Sequence, residues 1–322
     1  MKNFWQKINK PILALAPMAG ITDSAFRQLC QKYGADVLYS EMTSADGLFY
    51  ESKKTLDLLN SNKKEKSLVI QLFGKRPEKF TKAASLGEKS GASGIDINFG
   101  CPAKKVTRHG GGVSLMRDLD KCYQIIENTL KGTSLPVSIK IRSSINYKAK
   151  KITGVDLIKK VKKLPLSAIM IHARSYEKPF SGPVNFEMIK KIKRLVNIPV
   201  LGNGGIDSPE KAKEMLDKTG CHGLGLARSV RGKPWLFQQI KDYLKKNEYK
   251  EFTWPQIKKV ILQHARLVYK TKKDHGLIEL RKHLAWYISG FPGASKYRKE
   301  LVQTSHIEEI KTIIKKIKKS SF

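Results

Sequence analysis

The stretch GIDINFGCPAKK, residues 94–105, decides how the rest of the chain is read. Ile95, Ile97 and Phe99 alternate with other residues at the two-residue period of a strand. Asn98, Gly100, Cys101 and Pro102 then end that strand abruptly in a loop. Cysteine is among the most often buried residue types. Cys101, however, sits between a glycine and a proline and leads into a Lys- and Gly-rich segment. The pattern predicts a thiol displayed at a strand end rather than packed in a core.

Comparable apolar runs lie on both sides. Strands are predicted over 12–16, 37–40, 68–72, 94–98, 137–142, 168–173, 199–201 and 223–227. Helices are predicted between them: one capped by Thr22 or Asp23 and running to about Tyr33, others near 77–90, 120–131, 156–163, 186–196 and 209–218. Eight short apolar runs alternating with helices are the pattern of a parallel (β/α)8 TIM barrel, which takes about 250 residues. The barrel is expected to occupy residues 1–243. Residues 244–322 lack strand-like runs and show helical spacing over 255–274, 277–289 and 306–319, with a break at Gly290-Phe291-Pro292-Gly293. They read as a small C-terminal all-α helical bundle. Its last stretch, KTIIKKIKKS, reads as a bundle helix with a solvated basic face rather than a membrane-surface helix.

Composition narrows the function. With 322 residues, 40% of them hydrophobic, the chain can fill a barrel core and a small second one. It carries 62 Lys and Arg against 28 Asp and Glu, a formal net charge of +34. A small anionic substrate does not account for that excess. Nucleic acid does, with a lysine-rich solvated surface as the plainer alternative. Residues 241–322 hold 20 basic and 8 acidic side chains, so both parts of the chain would meet a polyanion. Cys30, Cys101, Cys122 and Cys221 lie far apart with no CxxC pair, which argues against a metal site or a disulfide framework and for a reduced, cytoplasmic protein. The basic-then-apolar start leads straight into a patterned strand and is not read as a signal peptide. No run of about 20 apolar residues exists, so no membrane span is expected.

Strands of a parallel barrel should be aliphatic throughout. The exceptions fall at C-terminal strand ends, where barrel active sites lie. In VSIKIR, Ser138, Lys140 and Arg142 share one face, so Lys140 and Arg142 are expected at the barrel mouth. Gln71, His172 and Arg174 occupy similar positions. Gly202-Asn203-Gly204-Gly205 ends the seventh strand and Ala227-Arg228 the eighth. Loops there often bind phosphate through backbone N–H groups, so a phosphorylated cofactor or substrate is implied.

The chain also resembles a known family, the tRNA-dihydrouridine synthases. The resemblance is carried by APMAGITD (16–23), QLFGKRPE (71–78), DINFGCPAKKV (96–106), GGGVSLMRD (110–118), SIKIR (138–142), IHARS (171–175), LGNGGI (201–206) and GKPWLF (232–237). RKHLAWYISGFPGA (281–294) resembles the bacterial B-type branch. The resemblance implies an FMN-binding barrel followed by a helical tRNA-binding domain. It implies reduction of the C5–C6 bond of uridine in the tRNA D-loop, with NADPH or NADH as reductant. By resemblance, FMN contacts fall on Pro17, Met18, Ala19, Gln71, Lys140, His172, Asn203, Gly204, Gly205, Ala227 and Arg228. Asn98 and Arg142 match positions that hold the target uracil, and Cys101 matches the catalytic cysteine. The family usually has Asp where this chain has Gly205, Gly where it has Ala227, and Tyr where it has Phe180.

Such chemistry needs a hydride, which flavin supplies, and a proton at C5. A thiol near its ordinary pKa of about 8.5 is mostly protonated at neutral pH, so Cys101 is expected to be a general acid rather than a nucleophile. Lys140 would offset negative charge on the flavin ring, with His172 and Arg228 serving ring or phosphate. The insertion over 143–151, with Lys148, Lys150 and Lys151, is a candidate phosphate contact or a solvated charge run. The competing readings are a barrel flavoprotein acting on a free pyrimidine, like a dihydroorotate dehydrogenase, an aldolase using Lys140 as a Schiff base, and a non-catalytic RNA-binding barrel. No obligate protein partner is implied, and a monomer is expected.

Overall fold

Alternation along the strands sorts the core into two apolar layers. A computed structural model describes residues 3–290 and 293–317. Its strands are β1 (Ile12–Leu15), β2 (Val37–Ser44), β3 (Leu68–Phe73), β4 (Gly94–Phe99), β5 (Val137–Arg142), β6 (Ser144–Tyr147), β7 (Lys150–Thr153), β8 (Ala168–His172), β9 (Val200–Asn203) and β10 (Gly223–Leu226). Eight close a parallel barrel in the order β1-β10-β9-β8-β5-β4-β3-β2, while β6 and β7 pair as a separate antiparallel hairpin. Leu13, Leu15, Ile95, Ile97, Ile139, Ile141 and Leu226 face the outer helices in one cluster. Ile12, Ala14, Val37, Tyr39, Val69, Ala168, Met170 and Leu201 form a second cluster inside the barrel, joined by Trp5. Both clusters are close to fully buried, and each large aliphatic side chain so placed contributes about 1.5–3 kcal/mol.

The helices are α1 (Ser24–Lys32), α2 (Ala45–Phe49), α3 (Lys53–Leu56), α4 (Phe80–Lys89), α5 (Lys104–Thr107), α6 (Leu119–Lys131), α7 (Gly154–Val161), α8 (Phe186–Leu195), α9 (Pro209–Thr219), α10 (Leu236–Lys246), α11 (Trp254–Tyr287), α12 (Ala294–Leu301) and α13 (Ile307–Lys316). Asp23, rather than Thr22, caps α1 by accepting the Phe26 N–H at 3.0 Å. Asp118, Asn185 and Ser208 cap α6, α8 and α9 in the same way, which satisfies N–H groups that have no partner within a helix. A helix begins at Gly154 rather than 156 because Thr153 and Asp156 close a capping box.

Helix α10 crosses residue 243, so a cut after that position would fall inside the last barrel helix. The two helices expected over 255–274 and 277–289 are present within the range α11 and meet at a kink at Lys273 (φ 53°, ψ −148°). The expected break at 290–293 includes Phe291 and Pro292, and the end of the last expected helix includes 318–319; these residues lie outside the described ones.

The helical part docks on α1. Phe26 packs against His283 and His264, with ring centroids 4.9 and 5.6 Å away. Asp23 pairs with Lys272 at 2.9 Å, and Lys32 donates to Gln263 at 2.6 Å. Gly232 (φ 71°) allows a further close approach, since a Cβ there would lie 2.5 Å from the Trp286 backbone.

Candidate active site

Most of the polar side chains expected at the mouth lie above the inner apolar cluster, toward the C-terminal strand ends, with Asp96 and Ser138 deeper in the barrel. Strand registers bring Gln71 beside Asp96, Asn98 beside Lys140, Arg142 beside His172, and His172 beside Asn203. The residues expected at the mouth are therefore brought together, in three groups.

The first group holds the cysteine loop. Asp96 is fully buried and accepts from Ser138 Oγ at 2.6 Å and Gln71 Nε2 at 2.7 Å. A carboxylate only accepts when ionised, so it fixes the Gln71 amide with Oε1 turned to Asn98 Nδ2, at 2.8 Å. Asn98 Oδ1 in turn accepts the N–H groups of Gly100 (3.0 Å) and Cys101 (2.8 Å). Burial raises the Asp96 carboxyl to about 6, with the Ser138 and Gln71 hydrogen bonds opposing that rise. Gly112 (φ 61°) lets the chain fold back over the loop: a Cβ there would lie 2.6 Å from the Cys101 carbonyl, which Val113 N–H also meets at 3.1 Å. The Cys101 thiol is half-buried, and burial raises its pKa, with the Ala103 N–H, Lys140 and Arg142 opposing. It is a protonated thiol at neutral pH. The other three cysteines are buried.

The second group centres on Arg142. Expected open to the mouth, it is 3% exposed. Its Nε donates to Gly100 O at 3.1 Å, and its Nη1 to Arg174 O (3.2 Å) and Ser175 O (3.1 Å). These carbonyls end two strands and would otherwise lack partners. Arg142 thus ties the cysteine loop to the loop after β8. Burial, with Arg174 and Arg228 nearby, lowers it to about 10. Asn98, also expected at the uracil, is 4% exposed, and both ends of its amide are engaged within the loop network.

The third group lies under β8–β10. Lys140 donates to Asn203 Oδ1 at 3.1 Å, and Asn203 Nδ2 donates to Gly225 O at 2.6 Å. Burial and the Arg142 charge lower Lys140 to about 8, against the pull of Asp96 and Cys101. Burial and the surrounding cations hold the His172 imidazole neutral, far below its usual range. Its Nδ1 faces only donors, Arg174 N–H (3.2 Å) and Arg142 Nη1 (3.3 Å), so the proton is assigned to Nε2. A pocket of about 340 Å³ opens beside it, lined by His172, Arg174, Phe180, Asn203, Gly204, Gly205, Ala227 and Arg228. A Cβ on Gly204 (φ 100°) would lie 3.0 Å from His172 Cε1, and one on Gly205 (φ 81°) 2.6 Å from Val184 Cγ2. A side chain at 205 would thus need Val184 to shift and would sit at a strained φ. Arg228 is exposed and lies 4.4 Å over the Phe180 ring, which places Phe180 at this pocket. Pro17, Met18 and Ala19 follow β1 on the same side of the barrel, pinned by Ile21 and Thr22 N–H groups donating to Met18 O.

Asp96, Ser138 and Gly112 were missed as site residues, although all three stand in the stretches that carried the resemblance. An aspartate in an aliphatic strand was the available signal for Asp96. Among the described residues, no cluster of His, Cys, Asp and Glu could hold a metal ion, and no helix is long and apolar enough to cross a membrane.

A parallel barrel with a protonated thiol, a neutral imidazole and a buried lysine around one mouth has the groups for proton transfer beside an anionic group. Comparison with known proteins carries this further. The profile described as dihydrouridine synthase (Dus) matches residues 14–321, and the chain belongs to that family. It is 35% identical over 288 residues to tRNA-dihydrouridine synthase B of Pseudomonas aeruginosa, covering 89% of this chain and 86% of that one. It is 36% identical to a probable tRNA-dihydrouridine synthase of Rickettsia bellii, covering 89% and 88%. Among solved structures, histamine dehydrogenase from Rhizobium sp. 4-9 superposes with a TM-score of 0.57 at 13% identity, over 79% of this chain and 48% of that one, a likeness of fold alone.

Proposed function

We propose that this protein reduces the C5–C6 double bond of uridine in tRNA to 5,6-dihydrouridine, with FMN as bound cofactor and NADPH or NADH as reductant. It acts in the cytoplasm as a monomer, and residues 244–322 supply part of the tRNA-binding surface. The observation that carries the reading is a thiol kept protonated on the same mouth as Lys140, His172 and the glycine–arginine cradle. Bare backbone at Gly204 and Gly205, with Arg228 beside it, suits the phosphate of FMN, and Lys140 suits its ring. Reduced FMN, when bound, supplies the hydride.

The chain's own residues do the rest. Cys101 Sγ–H delivers the proton to C5 of the uracil, and burial keeps that proton in place until it is needed. Asn98, Gln71 and Arg142 hold the cysteine loop and so set the sulfur's position. Arg142 Nη2 makes no hydrogen bond among the described residues and is the donor left for the uracil. With Nδ1 taken by the Arg174 N–H, His172 Nε2–H would be the donor available to the cofactor's polar groups. Uracil must leave its stack to reach the mouth, at a cost of about a few kcal/mol, which the +34 chain offsets by attracting tRNA.

Incubating the protein with reductant and an unmodified tRNA transcript tests this. A mass gain of two hydrogens on a uridine is expected. Reduction of free uracil or orotate with none in tRNA would overturn it.

A further inference from the structure

The β6–β7 hairpin is a surface element beside the mouth that the site described above does not use. It rises directly from the end of β5, the strand of Lys140 and Arg142. Its base is fixed. Ile145 is fully buried, Ser143 N–H donates to His172 O at 3.0 Å, and Tyr176 N–H to Ser144 O at 2.9 Å. The hairpin also packs against Gly112–Arg117, the segment folded over the cysteine loop. It is thus coupled to both sides of the mouth.

Its tip has the opposite character. Tyr147 pairs with Lys150 across a two-residue turn formed by Lys148 (φ 46°) and Ala149 (φ 58°). Such turns favour Asn-Gly, because side-chained residues are disfavoured at positive φ. Here a lysine occupies the strained position instead. Tyr147 is 38% exposed, with the Arg117 guanidinium 5.1 Å from its ring centroid and Lys148 Nζ 5.6 Å. Lys150 and Lys151 are exposed, and no acidic residue occurs in 144–153. Glu177 accepts the Asn146 N–H at 2.7 Å and offsets part of the Lys151 charge, but Lys148, Lys150 and Lys151 still outnumber it. An exposed ring flanked by an excess of cations suits a splayed nucleotide whose base stacks on the ring and whose phosphates meet the lysines.

We propose that this hairpin is a clamp for the RNA strand next to the extruded uridine, with Tyr147 as the stacking platform and Lys148, Lys150 and Lys151 as phosphate contacts. The clamp rests on the tRNA reading given above. A rigid base tied to both catalytic loops lets a stacked neighbour base register the target over the mouth.

The test measures binding of unmodified tRNA transcript by holoenzyme across a KCl series, for wild type, Tyr147→Ala, Tyr147→Phe and the triple variant Lys148→Ser/Lys150→Ser/Lys151→Ser. Flavin content and thermal midpoint report that each variant is folded. Tyr147→Ala should weaken binding about tenfold, and Tyr147→Phe should restore it, because stacking needs the ring and not the hydroxyl. The triple variant should flatten the slope of log K against log salt by about 2, near 0.7 per lost single-strand phosphate contact. Wild-type affinity and slope in all variants would overturn the clamp while leaving the tRNA reading intact. Failure of wild type to bind tRNA would overturn both. Competition by poly-glutamate equal to that by tRNA would assign the hairpin to an acidic protein partner and overturn the RNA clamp.

Discussion

The barrel mouth and the seam between α1 and α11 contain similar groups put to different ends. The seam has two buried neutral histidines and the mouth one half-buried one, and each has a lysine near an aspartate. In the seam, burial lowers His264 to about 4 and holds His283 well below its usual range, yet both rings pack against Phe26, Tyr287 or Trp286. Burial alone would raise Asp23, but Lys272 at 2.9 Å and His264 hold it below the carboxylate range. Burial opposes the Lys272 charge, and Asp23 and Glu279 overcome it, raising the lysine to about 12. At the mouth the balance is reversed. Lys140 falls to about 8, Asp96 rises to about 6, and His172 borders an open pocket. A perturbed pKa alone therefore does not mark function. What separates the two regions is that His172 lines an open pocket, whereas the seam histidines are enclosed by aromatic rings.

Four experiments probe that contrast. The largest stability loss is expected in the seam: Phe26→Ala should cost about 3–5 kcal/mol in urea unfolding, because it empties the ring cluster that docks the helical part. At the mouth, Lys140→Met should lower turnover about 100-fold with a smaller change in stability. The wild-type apoprotein should bind FMN more weakly as pH rises through about 8, where Lys140 loses its charge, and the variant should lack that step; fluorescence quenching of free FMN reads both. Asn98→Ala should slow turnover about tenfold and cost about 1–3 kcal/mol, since it strands the Cys101 and Gly100 N–H groups. The seam histidines give the smallest effect. Their folded pKa values lie below the unfolded value of about 6.5, so the unfolded chain binds more protons and stability falls as pH drops from about 6.5 toward about 4. His264→Phe should flatten that fall in a pH series of thermal midpoints.

Much of this was legible in the sequence, for physical reasons. Barrel strands are buried on both faces, so Lys140, Gln71 and His172 stood out against aliphatic neighbours. Arg142 stood out too, but its length let it turn inward to carbonyls in the loops after two other strands, which spacing along one strand does not show. The hairpin at 144–153 was hidden because Lys148-Ala149 is not a usual turn pair. The seam was hidden because Asp23 and Phe26 meet Lys272 and His283 across some 250 residues of chain. Residues 255–289 carried correct helical spacing, but the fold places the irregularity at Lys273, within the first expected helix.

The central claim is that one thiol, held protonated at the barrel mouth, gives its proton to the uracil. Single-turnover reduction of tRNA by pre-reduced holoenzyme, wild type against Cys101→Ala, tests it most directly. The account predicts unchanged flavin content and tRNA affinity with a rate lower by about 10²–10⁴. A variant that forms dihydrouridine at the wild-type rate would contradict it.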